Sequence, residues 1–300
     1  MQRDGAKGDI FLMKDYVIVT DSASDISSEK LGEWGVSYLE LTFRFSGEDK
    51  EYANYELPAT EFYGRMRAGA VAKTAAVNVQ SFTECFEKFL SEGKDVLCIS
   101  FSSGLSTTAN SARLAAEQLA EKYPDNKVIA IDSLAASAGL GLLIYLAVQK
   151  KNAGATIEEV ASYITETIPH LCHWFTVDDL VYLKRGGRIS PAAAFFGNAI
   201  GIKPVLHVDN EGHLVKFDKV RGRKSSIQAL ASKYGERALD LQGGTVYISH
   251  GDCIKDAEEL ANILHEKYGA TVDIITDVGP VIGAHSGPGT LALFYIGSER

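Results

Sequence analysis

The sequence predicts an α/β protein of two domains, the N-terminal one on a mostly parallel sheet and the C-terminal one on a mixed sheet. Three observations carry that prediction. Apolar, β-branched runs alternate with helical stretches through the first half of the chain, at the spacing of βαβ units. The segment PVLHVDNEGHLVKFDKV (204–220) reads instead as two strands around an Asp-Asn-Glu-Gly turn, which brings antiparallel pairing into the second half. Finally, 300 residues is long for one core and comfortable for two. The expected domains are 13–165 and 166–300, with residues 1–12 as an extension ahead of the first strand.

Taken in order, YVIVT (16–20) is a short β-branched strand running into TDSASD. VLCISF (96–101) is a second, continuing through SSGLSTT into a helix from Ser106 to Tyr123. KVIAID (127–132) is a third. The apolar run LAASAGLGLLIYLAV (134–148) is too short and too rich in small residues to span a bilayer, and fits a buried core helix. TIEE (156–159) matches a capping box, with Thr156 as N-cap and Glu159 three residues on. TVYIS (245–249), a helical stretch from Ile254 to Gly269 and VDIIT (272–276) form one more βαβ unit.

Composition narrows the function. Hydrophobic content of 46% and charged content of 23% supply an ordinary globular core. A net charge of −9 argues against a nucleic-acid binder, whose footprint is basic. The N-terminus lacks the apolar core of a signal peptide. The four cysteines (85, 98, 172, 253) contain no CxxC pair, which fits reduced thiols in a cytoplasmic protein, and Cys98 reads as a small core residue. The histidines at 170, 173, 207, 213, 250 and 265 form no metal set, since the spacing of His170, Cys172 and His173 does not share one helical face. No metal or cofactor is expected.

In open α/β sheets, ligands gather at the carboxyl ends of strands. Here those corners are polar: TDSASD, FSSGLSTT (101–108) and Asp132-Ser133. One such corner can be mere turn chemistry, but several on one sheet edge point to a binding cleft. FSSGLSTT lacks the G-x-S-x-G of a nucleophile elbow, and the chain has no G-x-x-x-x-G-K-[ST] phosphate loop. Ser106 is placed to cap the following helix, with Thr107 and Thr108 in its first turn. Ser102 and Ser103 are not explained by capping, and hydroxyls beside a helix N-terminus suit an anion such as a carboxylate. GAHSGPG (283–289) holds His285 on a backbone fixed by glycines and a proline, where a structural and a functional role are both open. LVYLKRGGRIS (180–190) and KVRGRK (219–224) are basic turns, either solvated loops or a rim for an anionic ligand or acidic partner. Gly186-Gly187 marks a tight turn or a close backbone approach.

As an ordered set, TDSASD, Thr74 in AKTAAV, ISFSSGLSTTANSA, DSLAASAGLG, FTVDDLVYLKRGGRIS, IKP (202–204), KVRGRK and GAHSGPGTLALFYIG resemble the DegV family, over nearly everything from Tyr16 to Gly297. The resemblance implies a two-domain fatty-acid-binding protein with no catalysis of its own, its acyl chain in a buried tunnel and its carboxylate at the domain interface. It also implies a partner, since some members are the acyl-carrying subunit of a bacterial fatty acid kinase. A separate ATP-binding protein then phosphorylates the bound carboxylate, and the acyl phosphate feeds phospholipid synthesis. By the same resemblance, a Thr, a Ser and a His hold the carboxylate, roles that fall on Thr74, on Ser103 or Ser106 ahead of Ser102, and on His285. Arg221 matches an arginine that works with the kinase. Two positions depart from the pattern. Ala75 stands where a serine often follows the threonine, and Thr107 where glycine is usual.

Burying a methylene contributes roughly 0.8 kcal/mol, so a long acyl chain offers on the order of 10 kcal/mol. Association costs about 4–15 kcal/mol, so the tail needs near-complete enclosure. The head needs hydrogen-bond donors, because a bare carboxylate is costly to bury. AAAFFGNAIGI (192–202) is either tail wall or ordinary core helix. A competing reading, a serine hydrolase of acyl esters using Ser103 or Ser106 with His285, lacks both the elbow motif and an acidic orienter.

Overall fold

The computed structural model describes residues 14–190 and 201–300. The chain opens with β1 (Tyr16–Asp21), a 3-10 turn over Ser22–Ser24, α1 (Ser28–Glu33) and β2 (Val36–Leu39). It then forms β3 (Thr42–Phe45), β4 (Tyr52–Ala53), α2 (Ala59–Arg67) and β5 (Ala72–Ala75). After α3 (Val79–Ser91) come β6 (Asp95–Ser100), α4 (Thr108–Lys122), β7 (Val128–Asp132), α5 (Ala138–Asn152) and α6 (Ile157–Thr167). The remainder holds β8 (Leu171–Thr176), α7 (Val181–Gly186), β9 (Ile202–Val208), β10 (Leu214–Arg221) and α8 (Arg223–Arg237). It ends with β11 (Tyr247–His250), α9 (Ile254–Tyr268), β12 (Ile274–Asp277), α10 (Pro280–Ser286) and β13 (Leu291–Ile296).

The expected α/β architecture is present. A parallel sheet runs β2-β1-β6-β7 and a mixed sheet runs β10-β9-β8-β13-β11-β12. Among the described residues of the mixed sheet only the β11–β12 pair, joined by α9, is parallel, and the predicted hairpin supplies β9 and β10. Asp209 closes that hairpin by accepting from the N–H groups of Glu211 and His213, each at 2.9 Å. The Thr156–Glu159 capping box is formed in both directions and starts α6. The β3-β4-β5 antiparallel sheet was not anticipated, because its strands are only four, two and four residues long and carry little pattern.

β6 is buried at all six positions, as a strand covered on both faces must be. The apolar run after β7 becomes α5, buried without a break from Ala138 to Ile144. An all-round apolar helix has no solvent face. Here it packs on β1 and β6 of the parallel sheet and on β8, β11 and β13 of the mixed sheet. Two glycines let it lie that close: a Cβ at Gly139 would meet the Phe294 ring at 2.7 Å, and one at Gly141 would meet Ile26 at 2.5 Å.

One boundary is corrected. α4 starts at Thr108 rather than Ser106, because the N–H groups of Leu105 and Ser106 both donate to Ser102 O (3.1 and 3.0 Å), closing a turn ahead of the helix. The Ser106 hydroxyl still accepts from the Thr108 N–H at 3.2 Å. Among the described residues, the four cysteines are unpaired and no helix is long and apolar enough to cross a membrane.

Candidate functional site

Several polar corner residues serve to tie corners together. Asp21 accepts from the N–H groups of Ala23 (3.0 Å) and Phe101 (2.8 Å), joining the ends of β1 and β6. Thr20 donates to Ile99 O at 2.8 Å. Asp132 accepts from the N–H groups of Ser103 and Leu134, both at 3.1 Å. Asp25 accepts from the Ser137 hydroxyl at 2.5 Å. Burial pushes the carboxyls of both Asp21 and Asp25 up to about 7.

Next to these corners lies a cavity of about 270 Å³ with a mostly apolar lining. Phe101, Leu105 and Ala136 come from the parallel-sheet corners, Phe175 and Ala292 from the mixed sheet, and Val281 and Ile282 from α10. The strand ends of both sheets therefore contribute to one enclosure.

Two of the predicted residues meet on its wall. Thr74 sits on β5, where alternation turns Thr74 inward and Lys73 and Ala75 outward. His285 sits in the last turn of α10, and its Nε2 lies 2.8 Å from Thr74 Oγ1. Burial, with a smaller contribution from the Arg188 charge, lowers the His285 imidazole to about 4, so it is neutral near pH 7. If Nε2 carries the proton and donates to Thr74, the threonine hydroxyl is left to donate onward. Nδ1 has no hydrogen-bond partner among the described residues and is backed by Gly186, where a Cβ would fall 2.2 Å away. The Gly186-Gly187 signal thus resolves into both of its readings: a close approach at Gly186 and a left-handed helix C-cap at Gly187.

The serines of FSSGLSTT part company. Ser106 and Thr107 line the cavity, and Ser106 Oγ is 2.8 Å from Thr108 Oγ1. Ser102 is fully buried, donates to Gly212 O at 2.9 Å and accepts from the Gly104 N–H at 3.1 Å. Ser103 is exposed. Neither is part of the cavity lining. The Thr107 departure from the family pattern therefore falls on the cavity wall, while Ala75 is exposed on the outer face.

Arg188 was missed as a site residue. It lines the cavity beside His285, donates from Nε to Leu105 O at 3.1 Å and from Nη1 to Gly186 O, and is half-buried. The signal was in the sequence, in the basic turn, but a long arginine reads as solvated until its stem is seen packed. Arg221 is exposed at the end of β10, opposite Ile202. Most of AAAFFGNAIGI lies outside the described residues.

The DegV family model, described as an uncharacterised protein family, matches residues 15–298. A DegV domain-containing protein of Clostridium perfringens is 42% identical over 291 residues, covering 96% of this chain and 99% of the relative. Among solved structures, a DegV lipid binding protein from Thermotoga maritima superposes with a TM-score of 0.83 at 32% identity, covering 95% of this chain and 99% of that one. A stearic acid-binding protein from Eubacterium ventriosum gives 0.84 at 27% identity, covering 94% and 98%. With one family model spanning both sheets and a relative this similar along almost the whole chain, the protein belongs to the DegV family.

Proposed function

We propose that this protein binds a long-chain fatty acid, its tail in the cavity and its carboxylate at Thr74, Ser106 and His285, and presents it to a separate ATP-dependent fatty acid kinase without catalysing a reaction itself. The observation that carries the reading is the mostly apolar enclosure whose wall bears the Thr74–His285 pair. Structural relatives described as binding lipid or stearic acid support it. Apolar walls drive tail burial, while hydroxyls and an imidazole answer the carboxylate. Arg188 adds a cation on the wall beside these hydroxyls and the imidazole.

The kinase half of the reading rests on where the basic residues fall. β8, β11 and β12 run in the same direction, so α7 and α10 leave the mixed sheet at one edge. Lys203 reaches Asp178 at that edge (2.6 Å), and Arg221 and Arg223 follow from the neighbouring strand end. Lys203 and Arg223 are paired there with Asp178 and Asp256, so the exposed Arg221 is the cation this reading offers to a nucleotide-bearing partner approaching the head group. We place the domain division at 165/166, in the last turn of α6 and ahead of the mixed sheet.

Replacing Thr74 or His285 with Ala removes a hydrogen bond to a charged group, worth about 1.5–3 kcal/mol, so fatty-acid affinity should fall roughly 10- to 100-fold. Unchanged binding in both variants would sink the assignment. Arg221→Glu should leave lipid binding intact and abolish kinase-dependent acyl phosphate formation. Undiminished phosphorylation would remove Arg221 from the partner surface.

A further inference from the structure

The small β3-β4-β5 sheet grips α10 at both ends. At the end of the helix, Thr74 of β5 meets His285. At its start, α10 has no capping side chain of its own: residue 279 is a glycine, and residue 280 is a proline, which carries no N–H. The first backbone donor of the helix is therefore Val281, and its N–H donates to Asn54 Oδ1 at 2.9 Å. Asn54 follows β4 and is 1% exposed. Two further bonds fix its position, from its N–H to Leu41 O at 3.2 Å and from Nδ2 to Ser22 O at 2.9 Å. These partners also set which way the amide points, since the Val281 N–H only donates and Ser22 O only accepts. Gly279 lets the start of the helix come this close, because a Cβ there would stand 2.7 Å from Asn54 Nδ2.

Val281 and His285 are four residues apart, so they lie one above the other on the same helical face, and both line the cavity. α10 spans only seven residues, so a shift of its first turn reaches the imidazole one turn on. Without the Asn54 side chain, the Val281 N–H loses its acceptor in the interior, and the start of the helix gains by moving. Asn54 itself is not part of the cavity lining. We propose that Asn54 is a positioning residue for the fatty-acid head group: by capping α10 it holds His285 against Thr74, where both can meet a carboxylate. This rests on the fatty-acid reading above and deepens it. Ser22, in the polar corner TDSASD, then serves the same site through its bond to Asn54.

The test is a double-mutant cycle on the delipidated protein, read with stearate and with stearyl alcohol, which share a tail and differ at the head. Asn54→Ala should weaken stearate binding about fivefold, the loss of one helix cap, and stearyl alcohol binding by no more than about twofold. In a His285→Ala background the same change should cost stearate nothing further. A merely structural Asn54 would weaken both ligands alike and add its loss to that of His285→Ala; either result overturns the inference, as does unchanged stearate binding. Reciprocity supplies a measurement that needs no variant to fold: if the bond to Val281 favours the bound carboxylate, the bound carboxylate favours that bond. Amide hydrogen exchange at Val281 should therefore slow on saturation with stearate, beyond any change in the β6 amides, and slow less with stearyl alcohol. Equal protection by the two ligands, or none by stearate, overturns the inference. Failure of the unmodified protein to bind either ligand would instead strike the fatty-acid reading itself, and this inference with it.

Discussion

A methyl group at position 186 would sit 2.2 Å from His285 Nδ1, so the imidazole keeps its place against Thr74 only because residue 186 has no side chain. Gly186→Ala improves helix propensity and should leave the fold intact, yet it should displace the ring and weaken fatty-acid binding about as much as His285→Ala does. A titration in which Gly186→Ala binds like the unmodified protein would show that the ring does not need this position. The sequence marked Gly186-Gly187 as a tight turn or a close approach but did not show the partner, which lies far along the chain on α10. The serines show the same limit. Ser102, Ser103 and Ser106 are alike as letters, and what separates them is a turn closed on Ser102 O that buries the first, exposes the second and turns the third to the cavity wall.

At the scale of elements, α5 is the helix shared by the two sheets. Its lack of an amphipathic pattern was legible, and it predicted burial on all sides correctly. Its glycines explain how a helix fits there. Gly141→Ala should drive a methyl into the buried Ile26 side chain and destabilise the protein by about 1–3 kcal/mol. In thermal unfolding, Gly141→Ala combined with Ile26→Ala should be less destabilised than the two single changes added together, because the second makes room for the first. Strict additivity would mean that the two positions do not press on each other. The β3-β4-β5 sheet, which carries Thr74, escaped the sequence because its short strands gain their meaning only from pairing with one another.

Across the whole molecule, the polar corners of the parallel sheet and α7 and α10 of the mixed sheet close on one cavity. Alternating strands and helices, the hairpin and the polar corners made this architecture readable, since each is a local pattern. The cavity was not readable from composition or periodicity, because it exists only where distant segments meet: Thr74 from β5, Ser106 from the corner after β6, Arg188 from the turn after α7 and His285 from α10. The central claim is that this enclosure holds a fatty acid. Mass spectrometry of the small molecules extracted from protein purified out of bacterial cells tests it most directly. The account predicts a long-chain fatty acid close to stoichiometric with the protein. An extract free of fatty acids, from protein that also takes none up when incubated with them, would contradict it.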